Sequence, residues 1–125
     1  MPETTRVLIA DDHTLFAEAL EAILAGEARI EVVARARDGA EAVALADELR
    51  PDVVLMDISM PVLDGIAATE QIRAADPGAC VLVLTGSNSP ADVDAARRAG
   101  AAGYVTKDRI AAELVQAILD AAGRR

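Results

Sequence analysis

Aromatic side chains are almost missing from this chain: Phe16 and Tyr104 are the only two, and there is no tryptophan. Any core must therefore be built from aliphatic residues. Cysteine is nearly as scarce. Cys80 stands alone, which excludes an intrachain disulfide and suits a reducing, cytoplasmic setting. It lies in the apolar run "CVLVL", where a buried, inert thiol is expected. Basic residues are outnumbered, 12 against 21 acidic ones, giving a formal charge of −9. That balance argues against a broad electrostatic grip on nucleic acid or on an anionic membrane. No apolar run approaches the length of a membrane span, and the N-terminus carries no signal-peptide pattern. Nothing reads as a linker or as low complexity, so residues 1–125 are expected to form one domain with no second domain. A chain of 125 residues is long enough to bury roughly two-thirds of its unfolded surface.

What the sequence does have is rhythm. Five short runs recur at similar intervals: "RVLIA" from Arg6, "IEVVARA" from Ile30, "DVVLM" from Asp52, "CVLVLT" from Cys80 and "GYVT" from Gly103. Each is rich in Val, Leu or Ile and bounded by turn or charged residues, as strands covered on both faces are. Helical spacing fills the gaps. Phe16, Leu20, Ile23 and Leu24 share one face, and so do Ile110, Leu114, Ala117, Ile118 and Ala121. Asp38 with Glu41 resembles a capping box, Ser89 before Pro90 offers an N-cap, and Gly123 a C-terminal stop. The fourth helix, Pro90 to Ala99, has only Val93 as a large apolar anchor and is expected to pack loosely. Strands alternating with helices imply crossovers and a parallel sheet, hence an α/β chain of (βα)5 type.

In a parallel sheet the strand ends share one side, and open α/β sheets bind ligands there, where strand order reverses. These ends carry Asp11 and Asp12, Asp57, Thr85 and Lys107. If the first and third strands flank the crevice, three carboxylates converge. Two unit charges about 4 Å apart repel by roughly 4 kcal/mol at an effective dielectric near 20. Such a pocket must take up protons or hold a cation, and hard oxygen donors open to water suit Mg²⁺ better than zinc. Asp11 and Asp12 alone could simply cap the first helix; the third carboxylate, Asp57, favours a metal site. Beside a cation Asp57 could act as a nucleophile toward phosphorus, with the Thr85 hydroxyl and the Lys107 charge meeting phosphoryl oxygens. Gly86, after Thr85, would keep bulk away from the incoming group.

The motifs "ADDH", "LMDISMPVLDG", "VLTGS" and "GYVTKD" occur in that order. Together they resemble the receiver domain of bacterial two-component response regulators, most closely receivers that precede a helix-turn-helix output domain. The resemblance covers essentially the whole chain. It implies a flavodoxin-like doubly wound sheet of strand order 2-1-3-4-5. It makes Asp57 the phosphoacceptor, with Asp12, Asp57 and the backbone carbonyl of Ser59 holding Mg²⁺ and Asp11 helping through water. Thr85 and Lys107 would contact the phosphoryl group, and Thr85 and Tyr104 would form the switch. Pro61, Asp64 and Gly65 match the loop after the acceptor strand.

The implied function is a phosphorylation-activated switch charged by a sensor histidine kinase. Its output would be a downstream protein or an output domain lying outside this chain, with a phosphorylation-dependent homodimer possible and no direct nucleic acid contact. Multiple turnover is not expected. Aspartate-based phosphohydrolases usually carry a second Asp two residues after the nucleophile, where this chain has Ser59. Ser59 and Ser87 are expected to tune phosphate lifetime. A flavin or nucleotide carrier would need a Gly-rich cradle in place of "ADDH", and an adaptor on the same fold would show no labile phosphate. One departure stands out: Asp108 follows Lys107 where the family commonly has proline, so no cis peptide is expected there and Asp108 could cap the last helix. His13 reads as a local polar contact, and Arg97 and Arg98 as a solvated face.

Overall fold

The apolar runs become the strands of one sheet in a computed structural model that describes residues 4–86 and 89–123. These are β1 (Thr5–Ala10), β2 (Ile30–Ala36), β3 (Val53–Asp57), β4 (Val81–Thr85) and β5 (Gly103–Thr106). All pair in parallel, in the order β2-β1-β3-β4-β5. Between and after them run α1 (Thr14–Ala25), α2 (Gly39–Leu49), α3 (Gly65–Ala75), α4 (Pro90–Ala99) and α5 (Ile110–Gly123). The expected (βα)5 architecture and strand order are those observed.

Alternation along the strands sends successive side chains to opposite faces. Val7, Ile9, Val53, Leu55, Leu82 and Leu84 face α1 and α5, which meet them with Leu20, Leu24, Leu114 and Ile118. Leu8, Ala10, Val54, Met56, Val81 and Val83 face the other way. There the fully buried positions of α2, α3 and α4 are mostly alanine, Ala42, Ala46, Ala68 and Ala96, with Ile72 as the larger exception, while Val43, Leu45 and Ile66 pack against them partly buried. Cys80 is buried at the lower edge of the first layer, its Sγ 3.6 Å from the Ala121 carbonyl.

The helix ends follow local chemistry. Asp38 accepts from the Glu41 N–H at 2.8 Å, while Glu41 reaches back to the Arg37 N–H rather than to that of Asp38 itself. Asp64 caps α3 through the Ala67 N–H, and Ser89 caps α4 through that of Asp92. One expectation needs correction. Asp108 does not cap α5, because a 3-10 turn over Lys107–Arg109 precedes that helix and holds Asp108 in its middle. Gly123, read as a C-terminal stop, is the last described residue of α5, and the positions that would test that reading lie outside the described residues. Every peptide bond among the described residues is trans, that between Lys107 and Asp108 included.

The fourth helix has the expected weak anchor. Val93 is only half-buried, and the fully buried positions are Ala96 and Ala99, against Ile110, Leu114, Ile118 and Ala121 in α5. A buried Leu or Ile stabilises by about 1.5–3 kcal/mol, which alanine cannot match. Amide hydrogen exchange should therefore be about tenfold or more faster in the middle of α4 than in the middle of α5. Equal protection in the two helices would refute the loose-packing assignment.

Candidate functional site

Ala10 and Met56 are register partners in β1 and β3, so the residues that follow, Asp11 and Asp57, leave the sheet side by side. Both are almost wholly buried, at 2% and 1% exposure. One oxygen of each is occupied. Asp11 Oδ1 accepts from the His13 N–H at 2.8 Å, and Asp57 Oδ1 accepts from the Ser59 N–H at 3.3 Å with Lys107 Nζ also 3.3 Å away. The other oxygen of each, Asp11 Oδ2 and Asp57 Oδ2, is buried without a hydrogen-bond partner. A buried acceptor left unpaired is costly, more so when it is charged.

Asp12 and His13 complete the cluster from the start of α1. One donor atom from each of Asp11, Asp12, His13 and Asp57 lies within 4.8 Å of the others. The capping alternative for the acidic pair is not what is observed, since His13 occupies the N-cap position of α1 and no side chain caps that helix. His13 does make the expected local polar contact, its Nδ1 3.3 Å from Asp12 Oδ1 and 3.5 Å from Asp11 Oδ1. Burial pushes the Asp11 carboxyl above its usual range; the Asp57 charge adds to this, and the His13 N–H and Lys107 oppose it. Beside this excess of negative charge the chain sets one cation of its own, the Lys107 ammonium.

That cation is held from two sides. Lys107 Nζ lies 4.6 Å from the centre of the Phe16 ring as well as against Asp57. Ammonium groups over aromatic faces gain about 0.5–2 kcal/mol. Phe16, expected only as part of the core face of α1, is half-buried and serves as a platform for Lys107.

Thr85 ends β4, buried at 2% exposure, one residue beyond the register partner of Asp57. Tyr104 is not part of the cluster. It is 40% exposed on β5, lining one surface hollow with Arg97 and another with Arg109 and Glu113. Ser87 lies outside the described residues.

The loop after β3 is shaped by close approach. The Leu63 N–H donates to the Pro61 carbonyl at 2.7 Å, and Val62 between them has φ of 69°, a tight γ-turn rarely adopted by a β-branched residue. Gly65 was expected as a turn residue, yet it opens α3 for a different reason. A β-carbon there would lie 2.1 Å from the Asp57 carbonyl oxygen. Gly86 is the opposite case, since a β-carbon there would meet nothing within 4 Å.

Buried, unpartnered carboxylate oxygens beside a third carboxylate fit a hard divalent ion such as Mg²⁺. The response regulator receiver domain model matches residues 7–119, and the chain belongs to that family. Its architecture and family are those of a phosphorylation-activated signalling switch of two-component systems. The transcriptional regulatory protein DegU of Brevibacillus brevis is 41% identical over 113 residues, 90% of this chain and 48% of DegU. A transcriptional regulatory protein NarL of Mycobacterium tuberculosis is 39% identical over 124 residues, 99% of this chain and 57% of NarL. The solved receiver domain of NarL from Mycobacterium tuberculosis matches with a TM-score of 0.94, covering 99% of this chain and 100% of that one at 39% identity. A LuxR-family response regulator from Aurantimonas sp. SI85-9A1 matches at 0.93, with 40% identity and 98% and 88% of the two chains covered. The chain spans about half the length of the curated relatives it matches.

Two predictions follow from this geometry. Gly65→Ala should destabilise the protein by about 2 kcal/mol in urea unfolding, whereas Gly86→Ala should stay within about 0.5 kcal/mol; similar losses for both would contradict the close-approach account. The second concerns pH. Because the folded Asp11 pKa is raised, the folded state binds more protons than the unfolded one above the ordinary value of 3.8. Stability contributed by that proton is complete below 3.8 and is lost as pH rises through the folded pKa. Without divalent ions, wild-type stability should therefore fall relative to Asp11→Asn as pH is raised from 4 toward neutrality, a difference measurable by urea unfolding. A constant difference between the two proteins would refute the assignment.

Proposed function

We propose that Asp57 accepts a phosphoryl group from the phosphohistidine of a sensor histidine kinase in a Mg²⁺-dependent transfer. The observation that carries this is the Asp57 side chain, buried at a strand end with Oδ2 unpartnered and Oδ1 facing Lys107. An Asp57 oxygen forms the bond to phosphorus as the bond from phosphorus to the donor imidazole breaks. Lys107 passes from the Asp57 carboxylate to a phosphoryl oxygen, and the Thr85 hydroxyl donates to another. Asp12, Asp57 and the Ser59 carbonyl would hold Mg²⁺, with Asp11 bonding through water. When bound, Mg²⁺ offsets the negative charge that gathers as phosphate meets carboxylate.

Thr85 moving toward the phosphate vacates space behind β4, and Tyr104 turns in from its exposed position. The face made by α4, β5 and α5 then changes its partner preference, a homodimer included. Relatives twice this length are named as transcriptional regulatory proteins. A DNA-binding output under the control of this domain, in the cytoplasm, is the whole-protein reading. The domain itself acts as a phosphoacceptor that loses its phosphate slowly, not as a multiple-turnover phosphohydrolase.

Incubation with acetyl phosphate and Mg²⁺ should add one phosphoryl group to the wild-type chain by intact mass. Asp57→Asn should take up none, and chelation of the metal should abolish uptake. Equal incorporation by both proteins would refute Asp57 as the acceptor.

A further inference from the structure

We propose that the His13 imidazole is a further metal donor of this centre, giving it a preference for first-row transition ions such as Zn²⁺ and Cu²⁺ over Mg²⁺. This rests on the reading of Asp11, Asp12 and Asp57 as a cation site. His13 Nδ1 lies 3.3 Å from Asp12 Oδ1 and 3.5 Å from Asp11 Oδ1. Donors about 2.1 Å from a shared ion stand about 3.0 Å apart at a right angle and about 3.4 Å apart at the tetrahedral angle. The observed spacings are those of neighbouring ligands. A second observation points to a cation here: Asp11 Oδ2 and Asp57 Oδ2 are buried acceptors with no hydrogen-bond partner.

The imidazole has little else to do. It stands at the N-cap position of α1 without capping that helix. Its side chain is 67% exposed, so it can adjust toward an ion while the two buried carboxylates stay fixed. Donor chemistry then decides selectivity. Mg²⁺ gains little from nitrogen and keeps its waters, whereas imidazole strengthens binding of Zn²⁺ and, more so, Cu²⁺ along the Irving–Williams order. A transition ion bound here uses the same carboxylates as Mg²⁺, so the two compete for one place. The opposing possibility is that His13 acts only as a positive neighbour of the acidic pair. In that case its removal would strengthen binding of every cation.

His13 is the only histidine in the chain. A nitrogen signature on a bound ion is thus assigned without labelling, provided the protein carries no histidine tag. Pulsed EPR of the Cu²⁺-loaded protein should show modulation from the remote imidazole nitrogen, lost in His13→Ala. Calorimetry should give a Zn²⁺ affinity lower by about tenfold or more in His13→Ala, with Mg²⁺ affinity changed by less than about twofold. Circular dichroism of the variant should match wild type, because the side chain is exposed. Absent imidazole modulation, or unchanged Zn²⁺ affinity, overturns the proposal. Stronger binding of both ions by His13→Ala overturns it in favour of the positive-neighbour role and leaves the carboxylate centre standing. Failure of the wild-type chain to bind either Mg²⁺ or Zn²⁺ overturns the proposal and the cation site together.

Discussion

Two carboxylates buried side by side, Asp11 and Asp57, set the terms for everything around them. A charge at a strand end usually reaches solvent, but these two are 2% and 1% exposed, each with one oxygen unpartnered. Like charges at such separation repel by several kcal/mol even at a generous effective dielectric. The protein tolerates this because a parallel sheet leaves no choice. Once β1 and β3 pair as neighbours, whatever follows Ala10 and Met56 must meet. The surroundings then serve to contain that charge: a raised Asp11 pKa, a lysine braced by an aromatic ring, and backbone N–H groups of His13 and Ser59 turned inward.

The two layers of the domain divide the labour. On one face, Leu and Ile from α1 and α5 lock the sheet, and α1 presents Asp12, His13 and Phe16 to the cluster from a firm base. On the other, alanine-lined helices come close enough that Gly39 and Gly65 have no room for a side chain. A β-carbon on Gly39 would fall 1.8 Å from the Leu63 carbonyl oxygen, so the loop after β3 is wedged between the starts of α2 and α3. The end of β3 is thus closely flanked, while α4, next along that face, is held by alanine and a half-buried valine. Rigidity where charge is held and looseness one helix away is the distribution that a switch requires.

Much of this was legible in the sequence because the fold writes polar residues, most of them charged, at the ends of apolar runs. Asp11, Asp57, Thr85 and Lys107 stand out for that reason, and the helix starts at Asp38 and Ser89 obey local capping chemistry that needs no tertiary context. What escaped depends on contacts between distant segments. Phe16 fits the apolar stripe of α1, and only the meeting of α1 with the end of β5 turns it into a platform for Lys107. Gly65 has the look of a turn glycine, but its reason is the Asp57 carbonyl one strand away. Asp108 failed as a cap because the chain inserts a 3-10 turn, Lys107–Arg109, before α5.

Charge also explains how a group as small as phosphate can be decisive. A ligand shifts a two-state equilibrium only by the difference in its contacts with the two states. Here Lys107 is already engaged, held 3.3 Å from Asp57 Oδ1 and 4.6 Å from the Phe16 ring. On the proposed reading, phosphorylation replaces one carboxylate charge with a larger one carrying more acceptor oxygens, and Lys107 and Thr85 have reason to move only in that state. A difference of about 2.7 kcal/mol between the two arrangements would shift the population roughly a hundredfold. One or two charge-assisted hydrogen bonds supply that much. The unphosphorylated domain is therefore poised rather than strained. On that reading a single added phosphoryl group decides which arrangement of Lys107 and its neighbours prevails, because Lys107 already stands against the Asp57 carboxylate that would carry it.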